Sequence, residues 1–395
     1  MGFELIKISQ LLAEKKIKTI SPSLKLQTDD INEIGKTAVV SQDQDFIVGY
    51  TDLVDEKLTN VPYIIFGDHT EIFKYIDFPF AQGADGIKII KADDKYIDSK
   101  FLYYAMKSCY YPTGFYQRHF KLLRKTFIPN LKINHQEKIS SVLNNYDQLI
   151  INNNKRMALL EKMAESLYKE WFIRFRFPGH ENTKFINGIP EKWNYEKFSD
   201  VCPFIRGISY SSEQIENQDA PNLLINLKNL RDYGGFRKEN YKKYDGDYKP
   251  NQVLKKFDLI MAITEMVQER RIIGYVGLVP SYEDNCVMSS DLVKITSRIN
   301  NLFLYSMFTY GGVSLCFSQY GNGTNVIHLK PQSLRNIKLL IPEKSLIERF
   351  VNIVGNYFEM IDKLQLENEN LSKQRDSLLP RLISGKLSID EKEIA

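Results

Sequence analysis

Cysteine is scarce in this chain. The four residues, Cys109, Cys202, Cys286 and Cys316, are widely spaced and never form C-x-x-C, which excludes a disulfide scaffold and a zinc knuckle and leaves buried, reduced thiols as the expectation. Histidine is little richer, and His69, His119, His135, His180 and His328 fall in no ligand spacing, so no metal site is expected. No apolar run approaches the length of a membrane span, no basic segment leads into an apolar one at the N-terminus, and Ile6 stands where a myristoylation signal needs Ser or Thr. A cytoplasmic protein with no membrane partner is expected. Neither sign of charge dominates: 53 Lys and Arg against 49 Asp and Glu leave a net charge of +4, so a nucleic-acid partner would need local clusters of cations rather than a global excess. Catalytic signatures are missing too, with no G-x-x-x-x-G-K-[ST], no H-E-x-x-H and no N-P-P-Y run of adenine-methylase type. Gly321-Asn322-Gly323 lacks the third glycine of a dinucleotide loop and reads as a turn.

What the chain does contain is a duplication. One helical segment puts Ile139, Val142, Tyr146, Leu149, Leu160, Met163 and Leu167 on an a/d heptad seam; a second puts Phe350, Ile353, Tyr357, Met360, Leu364, Leu371 and Leu378 there. Paired positions keep a separation of 211 along the whole segment (350 − 139, 378 − 167). The repeat extends outward. Phe3, Leu5, Lys7, Ile8, Ser9 and Leu11 answer to Trp193, Tyr195, Lys197, Phe198, Ser199 and Val201; Phe101-Leu102-Tyr103 answers to Phe303-Leu304-Tyr305, and Ile128-Pro129 to Ile341-Pro342. The separations drift from 190 to 213, which places insertions in the loops of the globular parts.

The chain therefore reads as two units, each a globular domain followed by a long helix. Strand-like runs at 37–40, 45–50, 62–66, 258–263, 271–279 and 291–295, separated by turn residues, make both globular parts α+β. Helical periodicity runs from about His135 to Arg174 and from about Lys344 to Leu382. The boundaries expected are 1–133 and 177–342 for the domains, with 134–176 and 343–395 for the helices and tail. Two apolar seams in one chain need covering, and an antiparallel pairing of the two rods, with the domains held apart, covers both. Asn153, Arg156, Glu367 and Gln374 are the polar seam positions on this reading. The aromatic stretches 103–116 and 310–320 read as domain core.

The order of these parts resembles the specificity (S) subunit of type I restriction-modification systems. Ile189 to Asp200 (IPEKWNYEKFSD), Arg206 to Ser209 (RGIS), Gly323 to Pro342 (GTNVIHLKPQSLRNIKLLIP) and, in the first unit, Phe115 to Pro129 (FYQRHFKLLRKTFIP) carry the resemblance. Phe3 departs from the pattern, standing where the second unit has Trp193. The resemblance implies that each domain is a target-recognition domain reading one half of a split double-stranded DNA site. It implies that the helices set the gap and dock two methylase (modification) subunits, and that restriction subunits join them. S-adenosylmethionine, ATP and Mg²⁺ would be used by those partners, with no cofactor and no catalytic residue in this chain.

A DNA-reading chain needs polar and basic side chains on rigid turns. In the first unit the candidates are Lys25, Asp68, His69, Thr70, Gln82, Arg118 and Lys121. In the second they are Arg206, Lys228, Arg231, Gln268, Arg270 and Arg271. Asp68 serves equally as the anchor of an Asx turn. Arg156, Lys162, Glu165, Lys363, Arg375 and Lys386 are candidate polar contacts for the docked subunits. A coiled-coil scaffold displaying two protein-binding or RNA-binding modules, and an enzyme with an unfamiliar site at Asp68 and His69, are the alternatives.

Overall fold

Short aliphatic and β-branched runs punctuated by Gly, Asp and Pro give short strands, and the two long heptad segments give the only long helices among the described residues. The computed structural model describes residues 3–22, 26, 28–53, 57–83, 86–114, 117–217 and 219–387. Packing divides the chain into two units, Met1–Asn152 with Asn368–Ala395, and Asn153–Glu367.

In the first unit β1 (Leu5–Lys7) leads into α1 (Ile8–Ala13), followed by β2 (Ile17–Ile20), β3 (Thr37–Val40), β4 (Gly49–Thr51), β5 (Tyr63–Gly67), β6 (Phe73–Ile76), β7 (Phe80–Gln82) and β8 (Ile87–Ala92). Then come α2 (Ser99–Cys109), α3 (Phe120–Leu123), β9 (Phe127–Pro129) and α4 (Ile133–Tyr168), whose residues from Asn153 on belong to the second unit. One sheet has the order β2-β8-β5-β6, antiparallel throughout. A second has the order β4-β3-β7, in which β3 and β7 run parallel. β1 pairs antiparallel with β9, closing the domain just before the long helix. The Asp98 side chain caps α2 by accepting from the Phe101 N–H at 2.7 Å.

The second unit carries a hairpin of β10 (Phe185–Ile186) and β11 (Ile189–Pro190), then β12 (Asn194–Lys197), α5 (Phe198–Val201), β13 (Phe204–Arg206), β14 (Asn222–Ile225), β15 (Lys242–Tyr244) and β16 (Val253–Leu254). β17 (Leu259–Ala262), β18 (Thr264–Glu265), β19 (Val276–Leu278), β20 (Asn285–Met288) and β21 (Leu292–Ile295) follow. The unit ends with α6 (Asn301–Tyr310), α7 (Val313–Ser318), β22 (Ile327–His328), β23 (Lys338–Ile341) and α8 (Lys344–Ile383), whose last turns belong to the first unit. Its sheets have the orders β13-β21-β17-β19 and β15-β14-β20-β16, the latter with β14 parallel to β20. Strand for strand these repeat the first unit, with β16 added. β12 pairs with β23 as β1 does with β9, and Asn300 caps α6 as Asp98 caps α2.

Within each unit, segments of the two long helices meet. In the first, Ile139 and Leu143 share a core with Leu379, Leu382 and Ile383, and Asp147 Oδ1 meets Arg375 Nη1 at 2.6 Å. In the second, the rings of Tyr168, Trp171 and Phe172 surround Phe350, while Glu161 shares a crevice with Phe358 and Ile361, so the segments there run antiparallel. The long helices end on different devices. α4 closes on a single π-helical turn, Lys169–Ile173. α8 closes on Gly385, at φ +73°, where a Cβ would stand 2.7 Å from the Phe3 ring, so glycine is required.

The seam differs from expectation by one residue at four of its fourteen positions, and a fifth, Leu149, is exposed. Leu149, Met163, Ile353 and Met360 are between 37% and 49% exposed, and Val142 is half-buried. The buried positions are their C-terminal neighbours: Leu143 and Ala164 in α4, Val354 and Ile361 in α8. Ile139, Tyr146, Leu160, Leu167, Phe350, Tyr357, Leu364, Leu371 and Leu378 are buried or half-buried. Both spacings are apolar over much of the helix, but the observed one keeps Arg156, Glu367 and Gln374 in solvent, where a charge costs nothing, and of the four polar seam positions buries Asn153 alone, at 3% exposed. The thiols differ as well: Cys202 and Cys286 are buried, Cys109 half-buried and Cys316 exposed. Of the aromatics expected in the core, Tyr104 and Phe317 are buried but Tyr111 is 84% exposed, and Phe115 and Tyr116 lie outside the described residues.

Candidate nucleic-acid interface

The turn between β5 and β6 is built around a buried carboxylate. Asp68, 4% exposed, accepts the Phe120 N–H on Oδ1 at 2.7 Å, and its carbonyl accepts the His119 N–H at 2.8 Å. Asp68 is thus the clamp that ties this turn to α3 and is not free to read a base. What it does is bring the other candidates together. His69 Nδ1 lies 3.2 Å from the Gln117 carbonyl, and the Thr70 hydroxyl donates to the Gln42 carbonyl at 2.8 Å. Arg118 and Lys121 stand exposed on and beside α3, and Lys88, 3.9 Å from Asp68 Oδ2, lies over the Phe120 ring. Lys88 was not legible in the sequence, because only the β5–β8 pairing sets it beside the turn.

Glu71, in the same turn, is withdrawn from this cationic patch. Burial alone would raise its carboxyl, but the Thr113 N–H, the Tyr110 hydroxyl, the Gly114 N–H and His119 outweigh burial and hold it below the ordinary value. His119 Nδ1 stands 2.6 Å from it. Gln82 is 5% exposed inside β7, which removes it as a base reader, and Lys25 lies outside the described residues.

In the second unit the basic candidates separate into free and spent. Arg206, at the end of β13, and Lys228, on a turn capped by Asn226, are exposed. Arg231 is spent: its Nη2 meets Glu161 Oε1 on α4 at 2.6 Å. Burial disfavours its charge, but Glu161 more than restores it and holds the guanidinium above its ordinary value. Arg270, at φ +53°, donates to the carbonyls of Ser318 and Gln319 at 3.3 and 3.5 Å and so caps the end of α7. Gln268 Nε2 donates to the Thr324 carbonyl. Arg271 remains exposed, 3.7 Å from Asp232.

Among the proposed docking residues, Arg375 is committed to Asp147 within the first unit, whereas Arg156, Lys162, Lys363 and Lys386 are exposed and Glu165 is half-buried between Lys162 and Lys169. Among the described residues no group of three or more His, Cys, Asp or Glu could hold a metal ion, and no helix is long and apolar enough to cross a membrane.

No protein-family model matches the chain. In sequence it is 28% identical over 281 residues to the type I restriction enzyme MjaIX specificity subunit of Methanocaldococcus jannaschii, covering 68% of this chain and 62% of that protein. It is 24% identical over 321 residues to the MjaVIII specificity subunit of the same organism, covering 76% and 73%. Among solved structures, the S subunit of a type I restriction-modification system from M. genitalium superposes with a TM-score of 0.52 at 16% identity, over 96% of both chains. The chain is therefore similar in sequence to the specificity subunits of type I restriction enzymes and has the fold of a solved S subunit of such a system.

Proposed function

We propose that this chain is the DNA specificity subunit of a type I restriction-modification complex, acting in the cytoplasm and performing no chemistry itself. Each α+β domain, 1–133 and 177–342, reads one half of a bipartite duplex site. The long helices pair antiparallel, set the gap, and with the adjoining faces dock two methylase subunits and the restriction subunits. Those partners use S-adenosylmethionine, ATP and Mg²⁺. The observation that carries this reading is the repeat of one strand order, β2-β8-β5-β6 and β13-β21-β17-β19, in two units of a chain whose relatives are specificity subunits. Two copies of one scaffold with different loops suit two unlike half-sites. The cluster of His69, Thr70, Lys88, Arg118 and Lys121, and the exposed Arg206, Lys228 and Arg271, supply cations for phosphates and donors for base edges.

The test is binding, in the presence of the modification subunit, to duplexes carrying both half-sites, either one, or neither. The expected result is an affinity that falls steeply with salt and drops when either half is scrambled, by about 1–3 kcal/mol per mismatched base pair. Unchanged affinity after loss of one half refutes the bipartite reading. Preference for RNA over duplex DNA would favour a two-module RNA-binding scaffold instead.

A further inference from the structure

The connection between β17 and β19 is tied down at several points and still holds apolar side chains in water. Glu265, 3% exposed, accepts the backbone N–H groups of Met266 at 3.1 Å, Val267 at 3.4 Å, Ile272 at 2.8 Å and Ile273 at 3.3 Å. One buried carboxylate thus closes both ends of the loop 266–271. Gln268 and Arg270 fasten its middle to the carbonyls of Thr324, Ser318 and Gln319. Ile263 and Ile273, on either side, are buried in the domain core. Met266 and Val267 are nevertheless 65% and 43% exposed. A single exposed apolar residue needs no explanation, but two in succession on a loop held by four backbone hydrogen bonds cannot fold back onto the core. Their flank is polar and carries charge of both signs, with Glu269 and Arg271 exposed beside them.

We propose that Met266 and Val267 read thymine, packing on 5-methyl groups in the major groove of the half-site met by the second unit. This rests on the specificity role proposed above. The thymine methyl is the apolar group that the edges of DNA base pairs present in the major groove, and it is matched by apolar side chains rather than by hydrogen bonds. A loop already ordered in the free protein loses little entropy on making that contact. Arg271 supplies a charge for a neighbouring phosphate or guanine. The matching turn of the first unit, between β5 and β6, presents His69 and Thr70 instead, so the two units use different chemistry at equivalent places.

The experiment uses the full chain in complex with its modification subunit and the site located by sequencing methylated adenines. Deoxyuridine replaces thymine, which removes only the methyl, in one half-site, the other, or both. Substitution in one half is expected to weaken binding about fourfold per contacted methyl, with no effect in the other half. A Met266→Ser, Val267→Ser double variant is expected to bind thymine and uracil duplexes alike, with an unchanged melting transition. Equal binding of both duplexes by the wild type, continued discrimination by the variant, or a site without thymine in that half overturns the proposal. If the complex binds its site no better than random duplex, the specificity role itself fails, an outcome distinct from site-specific binding that ignores the methyl.

Discussion

The one-residue shift of the helical seam can be measured by paired truncations. Leu143 is 0% exposed and shares its core with Leu379, Leu382 and Ile383, so Leu143→Ala removes buried methyl groups and leaves a cavity bounded by both long helices. The cost is about 3 kcal/mol. Leu149, by contrast, is 48% exposed; its truncation leaves no enclosed cavity and gains a little helix propensity, for a cost below about 1 kcal/mol. In urea, with a slope of about 2 kcal/mol/M, the midpoint should fall by about 1.5 M for Leu143→Ala and by less than about 0.5 M for Leu149→Ala. Both tryptophans, Trp171 and Trp193, lie in the second unit, so fluorescence reports that unit and backbone circular dichroism must follow the first. Equal shifts, or a larger one for Leu149→Ala, would refute the packing described above and restore the register in which Val142 and Leu149 face the partner helix.

Removing the carboxylate partner in Asp147→Ala strands the Tyr104 hydroxyl, bonded at 2.5 Å, and leaves Arg375, bonded at 2.6 Å, with Asp376 alone, and should cost about 2 kcal/mol. A double variant with Arg375→Leu should lose clearly less than the sum of the single losses in a denaturation cycle; strict additivity would show that the pair does not interact. Asp362 accepts from the Ser281 N–H and hydroxyl and pairs with Lys256 at 2.8 Å; burial would raise its carboxyl, but these partners hold it below the ordinary value of 3.8. Its stabilisation is therefore full above that value and lost as the pH falls through the lower folded one, and Asp362→Asn should cost about 2 kcal/mol at neutral pH and flatten the acid limb of the stability profile. Burial pushes the Cys202 and Cys286 thiols up to about 12, whereas Cys316 is exposed; mass spectrometry after brief maleimide treatment at pH 7.5 should find Cys316 labelled first, and prior labelling of Cys202 would contradict the burial. Arg118→Ala and Lys121→Ala should weaken DNA binding by similar factors on every sequence and each lower the salt slope by about 0.9, whereas a change confined to one base pair would make either residue a base reader.

Much of the architecture was legible because it is written locally. The strand at Thr37–Val40 and the long helices announce themselves through side-chain period, and α8 ends at Ile383, one residue beyond the Leu382 at which that period stops. The candidate interface was legible in its residue types but not in their fates. Asp68, Gln82, Arg231 and Arg270 have the chemistry of base or phosphate readers, yet the fold spends each of them internally. Glu265 carries a signal in the sequence as well, because an acid inside the apolar run from Leu259 to Val267 is buried only with partners such as the four N–H groups it accepts.

The sequence by itself determined the duplication, the α+β content and the existence of two apolar helical faces, because periodicity and repeat spacing follow from the covalent chain and need no knowledge of what each face meets. Tertiary structure alone decided the rest. It chose Leu143 over Val142 and Ile361 over Met360, because two apolar stripes one residue apart differ only in what each must bury beside them. It also decided which charges remain free, because whether a guanidinium or carboxylate is available depends on a partner far away in the chain, such as Glu161 for Arg231 or the Phe120 N–H for Asp68.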